Sequence, residues 1–495
     1  LRPTTLHIDP GDQAEWGQRA FQTTTKNFYI EPNWILSKPN HPPLTILYYK
    51  ANYFLYRQLS LRLNQSKFFL KKLRIINENS NYYKFTDSLD KIDSAENPFP
   101  RGYLLTLKLI PIISDILIAI IIFNIAQKKS KKPLVYPSLF LFMPFSWYIS
   151  SLWGQTDQLS FLFLILSFIC INKKSTLSIV LFYLSVAIKP TSITITPLFL
   201  FLLHKNKTKI SSFINGILIS LLINFITFKP FYITNIFDFT FNQLLPRLAD
   251  RPPRLSTNIY NFWHIFSLNN PVSSQIKILF LSATSWSILI FCLINLFVFT
   301  KIKKVNLKTI LISLFIISFS SCFFLTNMLD RYAFTSIVSG LIILIYYPNA
   351  LSYWLIIASI FSLNIYRLWW FPQSFHFLKE VLTFKKYIIG IPFCLINLFC
   401  FTQILKRLPF IKGSCPKDWG VLTKKIPHFR EGFSKYKLFV DNVFLVSFNN
   451  SKRDFSLLKI KTFNIKLDFF AFFKINSTSK FRNMNQSFNT SFEFN

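Results

Sequence analysis

Three carboxylates stand close together near the start of the chain, in the stretch HIDPGDQAEWGQRAF at residues 7–21. They are Asp9, Asp12 and Glu15, in a chain of 495 residues that has only 21 Asp and Glu. A carboxylate beside a reacting hydroxyl can take its proton as the oxygen attacks, so Asp12 is a candidate general base. Asp12 and Glu15 also have the spacing of a capping box, in which Asp12 only starts a helix. The spacing leaves both interpretations open.

The composition indicates what kind of protein surrounds this stretch. The chain is 51% hydrophobic, with 59 Phe and 10 Gly, and many of its apolar runs are near the length that crosses a bilayer as a helix. A net charge of +35 is typical of nucleic-acid partners. Here, however, Lys and Arg lie mainly in short loops between apolar runs and in the last part of the chain. Short basic loops are typical of the cytoplasmic side of membrane proteins, so no nucleic acid is expected.

Metal and nucleotide sites have no signal in the sequence. The 6 Cys form no CxxC pair and the 6 His lack ligand spacing, so neither a metal site nor a disulfide framework is expected. There is no glycine-rich phosphate loop, and we expect no cofactor.

The basic loops predict an orientation for the apolar runs. If the KKSKK sequence that follows the first clear span is cytoplasmic, the later basic loops fall on the same side at nearly every turn. The fold class is therefore all-α, a polytopic transmembrane bundle of about eleven spans, or twelve if a further span precedes the first residue. The expected spans are 103–127, 134–152, 159–172, 177–188, 190–203, 211–233, 275–300, 308–326, 333–347, 350–366 and 386–405.

Three regions follow from this topology. Residues 1–102 form an extracytoplasmic acidic loop with interfacial helices, one of them at roughly 44–60 after Pro42 and Pro43. Residues 103–410 form the transmembrane bundle with its outer loops. Residues 411–495 are a basic, low-complexity tail, interpreted as cytoplasmic or as translated in a wrong frame.

Acids and other polar residues then collect at the outer membrane boundary. One charge at the end of a span can simply reach water, but a face that carries acids, guanidinium groups and Trp predicts a binding site. An enzyme on this side has no nucleotide sugar, so its activated sugar must arrive on a lipid. Arg suits the phosphate, and Trp offers a sugar a flat apolar face. The candidate substrate-binding residues are Asp9, Trp153, Gln155, Asp157, Lys189, Arg247, Arg251, Arg254, Asn261, Trp263, Asp330 and Arg331.

Short motifs along the chain carry a resemblance to a known family. They are GD at 11–12, HPPLT at 41–45, RGY at 101–103, K-x-x-P-x-x-x-D at 108–115, WGQTD at 153–157, KP at 189–190, STNIYNFW at 256–263 and DRY at 330–332. In this order they resemble the GT-C superfamily of glycosyltransferases that depend on polyprenyl-phosphate sugars. The likeness is closest to prokaryotic relatives of the second mannosyltransferase of GPI-anchor synthesis. It is more distant to the dolichyl-phosphate-glucose glucosyltransferases.

The resemblance implies an inverting transfer of a hexose, probably mannose, from a polyprenyl-phosphate donor to a hydroxyl of a glycan, lipid or protein acceptor. It implies that Asp12 is the base and that Arg331 and Tyr332 lie near the donor phosphate. The family's His-Glu-Arg-Tyr motif has Leu329 and Asp330 in its first two positions here. Such an enzyme is a multi-pass protein in contact with membrane lipid, in the plasma membrane of a prokaryote or the endoplasmic reticulum of a eukaryote, with an extracytoplasmic active site.

A membrane transporter or flippase of lipid-linked or small polar substrates is the main alternative. Such proteins place polar residues and broken helices near the midplane, often in two related halves, and Lys189-Pro190 between two short apolar runs fits that pattern equally well. The polar residues instead cluster at one boundary, and no internal repeat is visible. A scaffold without catalysis accounts for the spans but not for the one-sided motifs, so a transferase is favoured.

Overall fold

The computed structural model describes residues 8–23, 28–92, 98–233, 235–244, 246, 252–267, 272–369, 376–384 and 386–408. The chain divides into two compact units, Leu1–Cys415 and Pro416–Asn495, and the described residues all belong to the first. Within them the chain is mostly helical, and its strands are one short antiparallel pair, Lys277–Ile278 and Leu281–Ser282. The expected all-helical architecture is confirmed, and the tail from 411 lies outside the described residues.

The helices are numbered here in chain order. They are α1 Ile8–Gln22, α2 Pro43–Lys72, α3 Asn81–Asp90, α4 Arg101–Gln127, α5 Val135–Phe142, α6 Pro144–Trp147, α7 Asp157–Cys170, α8 Ser175–Ile188, α9 Thr196–Lys205, α10 Ile210–Phe228, α11 Ile236–Asp238, α12 Ala283–Lys301, α13 Leu307–Phe324, α14 Phe334–Leu344, α15 Leu351–Trp369, α16 His376–Phe384 and α17 Lys386–Arg407. Short 3₁₀ segments lie at Pro190–Ile195, Lys229–Phe231, Phe262–Phe266, Asp330–Ala333 and Pro348–Ala350, and π-helical turns at Tyr148–Leu152 and Phe239–Leu244.

Six helical segments of the described chain are long and apolar enough to cross a membrane. They are Arg101–Gln127, Ile210–Phe231, Ala283–Lys301, Leu307–Phe324, Pro348–Arg367 and Ile389–Arg407. A seventh is present if Pro144–Leu152 and Asp157–Cys170, which are bent by 117° relative to each other, count as one span. These lengths and compositions indicate a multi-pass membrane protein.

Several of the eleven expected spans form shorter helices. The runs at 159–172, 177–188, 190–203 and 333–347 become α7, α8, α9 and α14, which have 10 to 14 residues each. Gly154 has a left-handed φ of +70° just before α7, a conformation that glycine adopts at little cost. Pro190 cannot continue α8, because proline lacks the N–H that a helix interior requires. Hydropathy counts the apolar run but not these interruptions.

The first helices pack on the start of the bundle. α1 buries Ala14, Trp16 and Ala20, which lie on one side of a helix, and the Tyr103 hydroxyl of α4 donates to the Ala14 carbonyl at 3.0 Å. α2 begins at Pro43, as expected for a proline at the first position of a helix. It extends to Lys72, well beyond the expected end near residue 60. The acidic stretch is therefore a packed helix, held by α2 and α4.

We predict that Gly17→Ala destabilises the protein. A Cβ at Gly17 would lie 2.5 Å from the Tyr49 carbonyl oxygen and still closer to the Tyr103 hydroxyl, so backbone has to move, at a cost of about 1–3 kcal/mol. Thermal unfolding of the purified protein in detergent should show a lower midpoint. The control is Gly102→Ala, whose Cβ would meet its nearest neighbours at 3.1 Å and should cost less. Equal midpoints for Gly17→Ala and wild type would contradict the close contact of α1 with α2 and α4.

We also predict that exposed residues at the two ends of α4 lie on opposite sides of the membrane. α4 has 27 residues and is therefore about 40 Å long. Its first turns contact α1, and Lys131 follows its last turn. With the native cysteines replaced, Ile35→Cys should react with an impermeant thiol reagent only from outside, and Lys131→Cys only from the cytoplasm. Labelling of both from one side would refute the topology.

Candidate functional site

Three motifs that are far apart in the sequence meet at one carboxylate. Arg331 Nη1 donates to Asp9 Oδ2 at 2.6 Å, and Gln155 Nε2 donates to the same oxygen at 2.9 Å. The Asp9 side chain is 34% exposed and that of Arg331 is 12% exposed, so the ion pair borders the solvent. The N-terminal helix therefore contributes directly to a site with residues from the middle and the end of the bundle.

A second ion pair lies beside the first. Lys189 Nζ bonds to Asp157 Oδ2, and both side chains are buried. Lys189 Nζ lies 5.9 Å from the centre of the Tyr332 ring, and the Arg331 guanidinium lies 5.0 Å from the centre of the Trp153 ring. We call these residues the Asp9–Arg331 cluster, which consists of Asp9, Trp153, Gln155, Asp157, Lys189, Arg331 and Tyr332.

Local geometry explains how the cluster is positioned. The left-handed turn at Gly154 precedes α7, and a Cβ there would lie 3.3 Å from Lys108 Cγ, so α4 packs directly against this turn. Lys189 follows the last residue of α8, where the Thr45 hydroxyl donates to the Ile188 carbonyl at 2.8 Å. The HPPLT motif therefore helps to hold the end of α8 that bears Lys189. The Asp330 carboxylate accepts the backbone N–H of Arg331 at 2.8 Å and orders the turn that carries the guanidinium.

The capping-box interpretation of Asp12 is wrong. α1 begins by Ile8, so Asp12 lies inside the helix, one turn after Asp9. The Glu15 carboxylate accepts the backbone N–H groups of Ile35 and Leu36 at 2.7 and 2.8 Å. Glu15 therefore fastens the segment that contains Ile35 and Leu36 to α1.

The environment of Asp12 changes its acidity. Burial is the largest cause and raises the pKa of Asp12 to about 7, the nearby charges of Asp9 and Glu15 raise it further, and a hydrogen bond with Ser37 opposes the shift. Trp16 Nε1 donates to the Ser37 carbonyl at 2.8 Å, which holds this segment over α1. A carboxylate that titrates near neutral pH is suited to general-base catalysis.

Tyr49 is a residue that the sequence analysis missed. It is 1% exposed, its hydroxyl has no hydrogen-bond partner in the described part of the chain, and Asp9, Arg331 and Asp157 act on it electrostatically. Burial is the main cause that raises its pKa well above the usual value, so the phenol stays protonated. The available signal was spacing, because Tyr49 follows Thr45 by one turn on a helix that starts at Pro43.

Other candidate residues occupy different positions. Asn261 Nδ2 donates to the Leu325 carbonyl at 3.1 Å, and Trp263 Nε1 donates to the Phe324 carbonyl. The Arg254 carbonyl accepts the N–H of Asn327 at 3.0 Å. These contacts dock residues 254–263 on the end of α13, just before Asp330 and Arg331. A direct contact of Arg254, Asn261 or Trp263 with substrate stays a prediction, and Arg247 and Arg251 lie outside the described residues.

The comparisons with known proteins leave the argument to the site itself. No family model matches the chain, and no curated protein matches it. Among the described residues, no group of three or more His, Cys, Asp or Glu could hold a metal ion. The arrangement of carboxylates and cations around α1 is therefore the observation from which a function can be argued.

We predict that Asp12→Asn changes how stability depends on pH. The folded protein binds a proton on Asp12 up to about pH 7, whereas the ordinary value is 3.8, so the stabilisation from this proton is present at low pH and is lost as pH rises through about 7. The Asn variant should melt with wild type at about pH 5 and above it at about pH 8. Thermal unfolding in detergent measures both midpoints. Asp87→Asn, which changes an exposed acid on α3, is the control and should follow wild type. An Asn variant that is less stable than wild type at the higher pH would contradict this environment.

Proposed function

We propose that this protein is a membrane glycosyltransferase that moves a hexose, mannose by resemblance, from a polyprenyl-phosphate donor to an acceptor hydroxyl with inversion. The observation that carries the proposal is the pairing of two functions on one helix. Asp9 contacts Arg331, a group suited to phosphate, and Asp12, one turn later, has a pKa of about 7. A base and a phosphate-binding group are the two parts that such a transfer requires.

Arg331 is the proposed ligand of the donor phosphate. One of its terminal nitrogens binds Asp9, while its Nε has no acceptor among the described residues. A phosphate oxygen would supply that acceptor. The Trp153 ring lies against the guanidinium, and stacking of this kind holds the planar group in a fixed orientation.

The proposed reaction uses Asp12 as the proton acceptor. The acceptor hydroxyl gives its proton to the Asp12 carboxylate while its oxygen forms a bond to the anomeric carbon. The bond from that carbon to the phosphate oxygen breaks, and the electron pair leaves with the polyprenyl phosphate. Arg331 stabilises the additional negative charge on the leaving phosphate. Attack opposite the leaving group inverts the configuration of the anomeric carbon.

The membrane setting is part of the proposal. An extracytoplasmic cluster would meet the lipid-linked donor with its isoprenoid tail still in the bilayer. The acceptor would be a glycan, lipid or protein hydroxyl, in the plasma membrane of a prokaryote or the endoplasmic reticulum of a eukaryote.

A transporter or flippase is the second candidate. The 117° bend between Pro144–Leu152 and Asp157–Cys170 and the buried Lys189–Asp157 pair at the end of α8 are features that broken transporter helices share. The two candidates differ in the fate of the donor. A transferase breaks the bond between sugar and phosphate, whereas a flippase relocates an unchanged donor.

We predict that Asp12→Asn retains donor binding but loses turnover. The amide keeps the shape of the carboxylate and cannot accept the hydroxyl proton, so the rate should fall by a factor of about 10²–10⁴. In wild type, the rate should fall as pH decreases through about 7, because protonated Asp12 is inactive. Sugar transfer and donor binding are measured on the same preparations, with Asp87→Asn as the control. Near-normal turnover by a folded Asp12→Asn variant would end the assignment.

We predict that Arg331→Lys weakens donor binding about ten-fold or more, because an ammonium does not reproduce the planar fork. The matched control is Arg367→Lys. Arg367 is also buried, and it donates to the Asn258 carbonyl and lies over the Tyr260 ring. Titration of a polyprenyl-phosphate sugar should show the loss only for Arg331→Lys. Unchanged affinity in a folded Arg331→Lys variant would remove Arg331 from the donor site.

A further inference from the structure

A basic cavity lies at the other end of α8 from Lys189. It is bounded by the loop between α7 and α8 and the loop between α9 and α10, and its volume is about 750 Å³. Since α8 has 14 residues, the cavity is about 20 Å from the end that bears Lys189. We call it the lysine groove, after the four side chains Lys173, Lys174, Lys207 and Lys209 that line it.

The lysine groove has fixed walls. Thr176 Oγ1, at the start of α8, donates to the Ser212 carbonyl of α10 at 3.1 Å. Asn206 Nδ2, from the second loop, donates to the Ile171 carbonyl of the first loop at 3.1 Å. These hydrogen bonds tie the two loops and the two helices together, so the four lysines project from a preformed cavity.

The charges in the lysine groove are not compensated by the described protein. No acid lines it, and none of its four lysines has an ion-pair partner in the described part of the chain. Lys174 and Lys209 immediately precede α8 and α10, and neither helix start has a side-chain cap. Cations are unfavourable at helix N-termini, where the helix dipole is positive. An anion in the cavity would offset both effects.

The rim of the lysine groove is apolar. Leu177 of α8 and Ile219 of α10 line it and are both exposed. Along α10, which belongs to a candidate membrane span, the exposed apolar surface continues through Leu218, Leu222 and Phe225. A ligand that fits this arrangement has a phosphate for the lysines and hydrocarbon chains for the adjacent helix surface.

We propose that the lysine groove binds the phosphate headgroup of an anionic membrane phospholipid, with the acyl chains along α8 and α10. Basic pockets between membrane helices are suited to such headgroups. This binding does not depend on the proposed sugar transfer, since the lysine groove shares no residue with the Asp9–Arg331 cluster. It assigns the lysine end of the bundle a bound lipid that would stabilise the fold.

The test compares lipid retention in matched variants. The full chain is purified in detergent, supplied with phosphatidylglycerol or phosphatidylcholine, and examined by native mass spectrometry and thermal unfolding. Wild type should retain phosphatidylglycerol and gain stability from it, and phosphatidylcholine should do neither. Replacement of the four groove lysines by Gln should weaken phosphatidylglycerol binding about ten-fold or more, since each lysine near an anionic headgroup contributes about 1 kcal/mol. The control replaces Lys128, Lys129, Lys131 and Lys132 by Gln, which removes the same charge from the loop after α4.

The remaining arms make the result decisive. Lys174→Gln and Lys209→Gln singly should each weaken retention, and they serve if the quadruple variant does not fold. Equal phosphatidylglycerol retention by the groove variants and wild type would overturn the proposal. Equal losses in the groove variant and the loop control would also overturn it, because the effect would then be general surface charge. Inorganic phosphate that stabilises wild type as well as phosphatidylglycerol does would identify a free-phosphate site and refute a lipid site.

Discussion

The ion pair between Asp9 and Arg331 is the interaction on which the site depends. It joins α1 to the turn between α13 and α14, across 322 positions of sequence. Removing a guanidinium from water costs several kcal/mol unless an anion compensates it. Asp9 supplies that anion, and Gln155 donates to the same oxygen. The first turn of α1 must therefore lie where it reaches Arg331, and the helix docks over the bundle for this reason.

The docking of α1 also sets the environment of the proposed base. Once Asp9 is fixed, Asp12 lies one turn later, beside the segment that Glu15 and Trp16 hold through Ile35 and Ser37. Burial there favours the protonated carboxyl group, and the pKa rises to about 7. One helix thus carries an acid that stays ionised against a guanidinium and another that titrates near neutral pH. Their different surroundings separate their properties, although they are only three residues apart.

Part of this arrangement could be predicted from the sequence. Apolar runs and basic loops predict a helical membrane protein, and the assignment of WGQTD, KP and DRY to one side anticipates that Trp153, Lys189 and Arg331 lie together. Helix lengths could not be predicted, because Gly154 and Pro190 interrupt runs that hydropathy treats as continuous. The role of Glu15 was also hidden, since its bonds to backbone N–H groups 20 and 21 residues away depend on tertiary packing. The same holds for the Trp263 indole, whose acceptor is 61 residues away.

The most direct test of the proposed transfer follows the fate of the donor. The purified full chain, in lipid nanodiscs, is given polyprenyl-phosphate mannose with a labelled sugar, together with a membrane glycolipid extract as the source of acceptor. The expected result is loss of the labelled donor, release of polyprenyl phosphate and label in an acceptor-linked product with inverted anomeric configuration. A matched reaction with a nucleotide sugar should give no product. Donor that stays chemically intact, or that only crosses the membrane of a proteoliposome, would contradict the account.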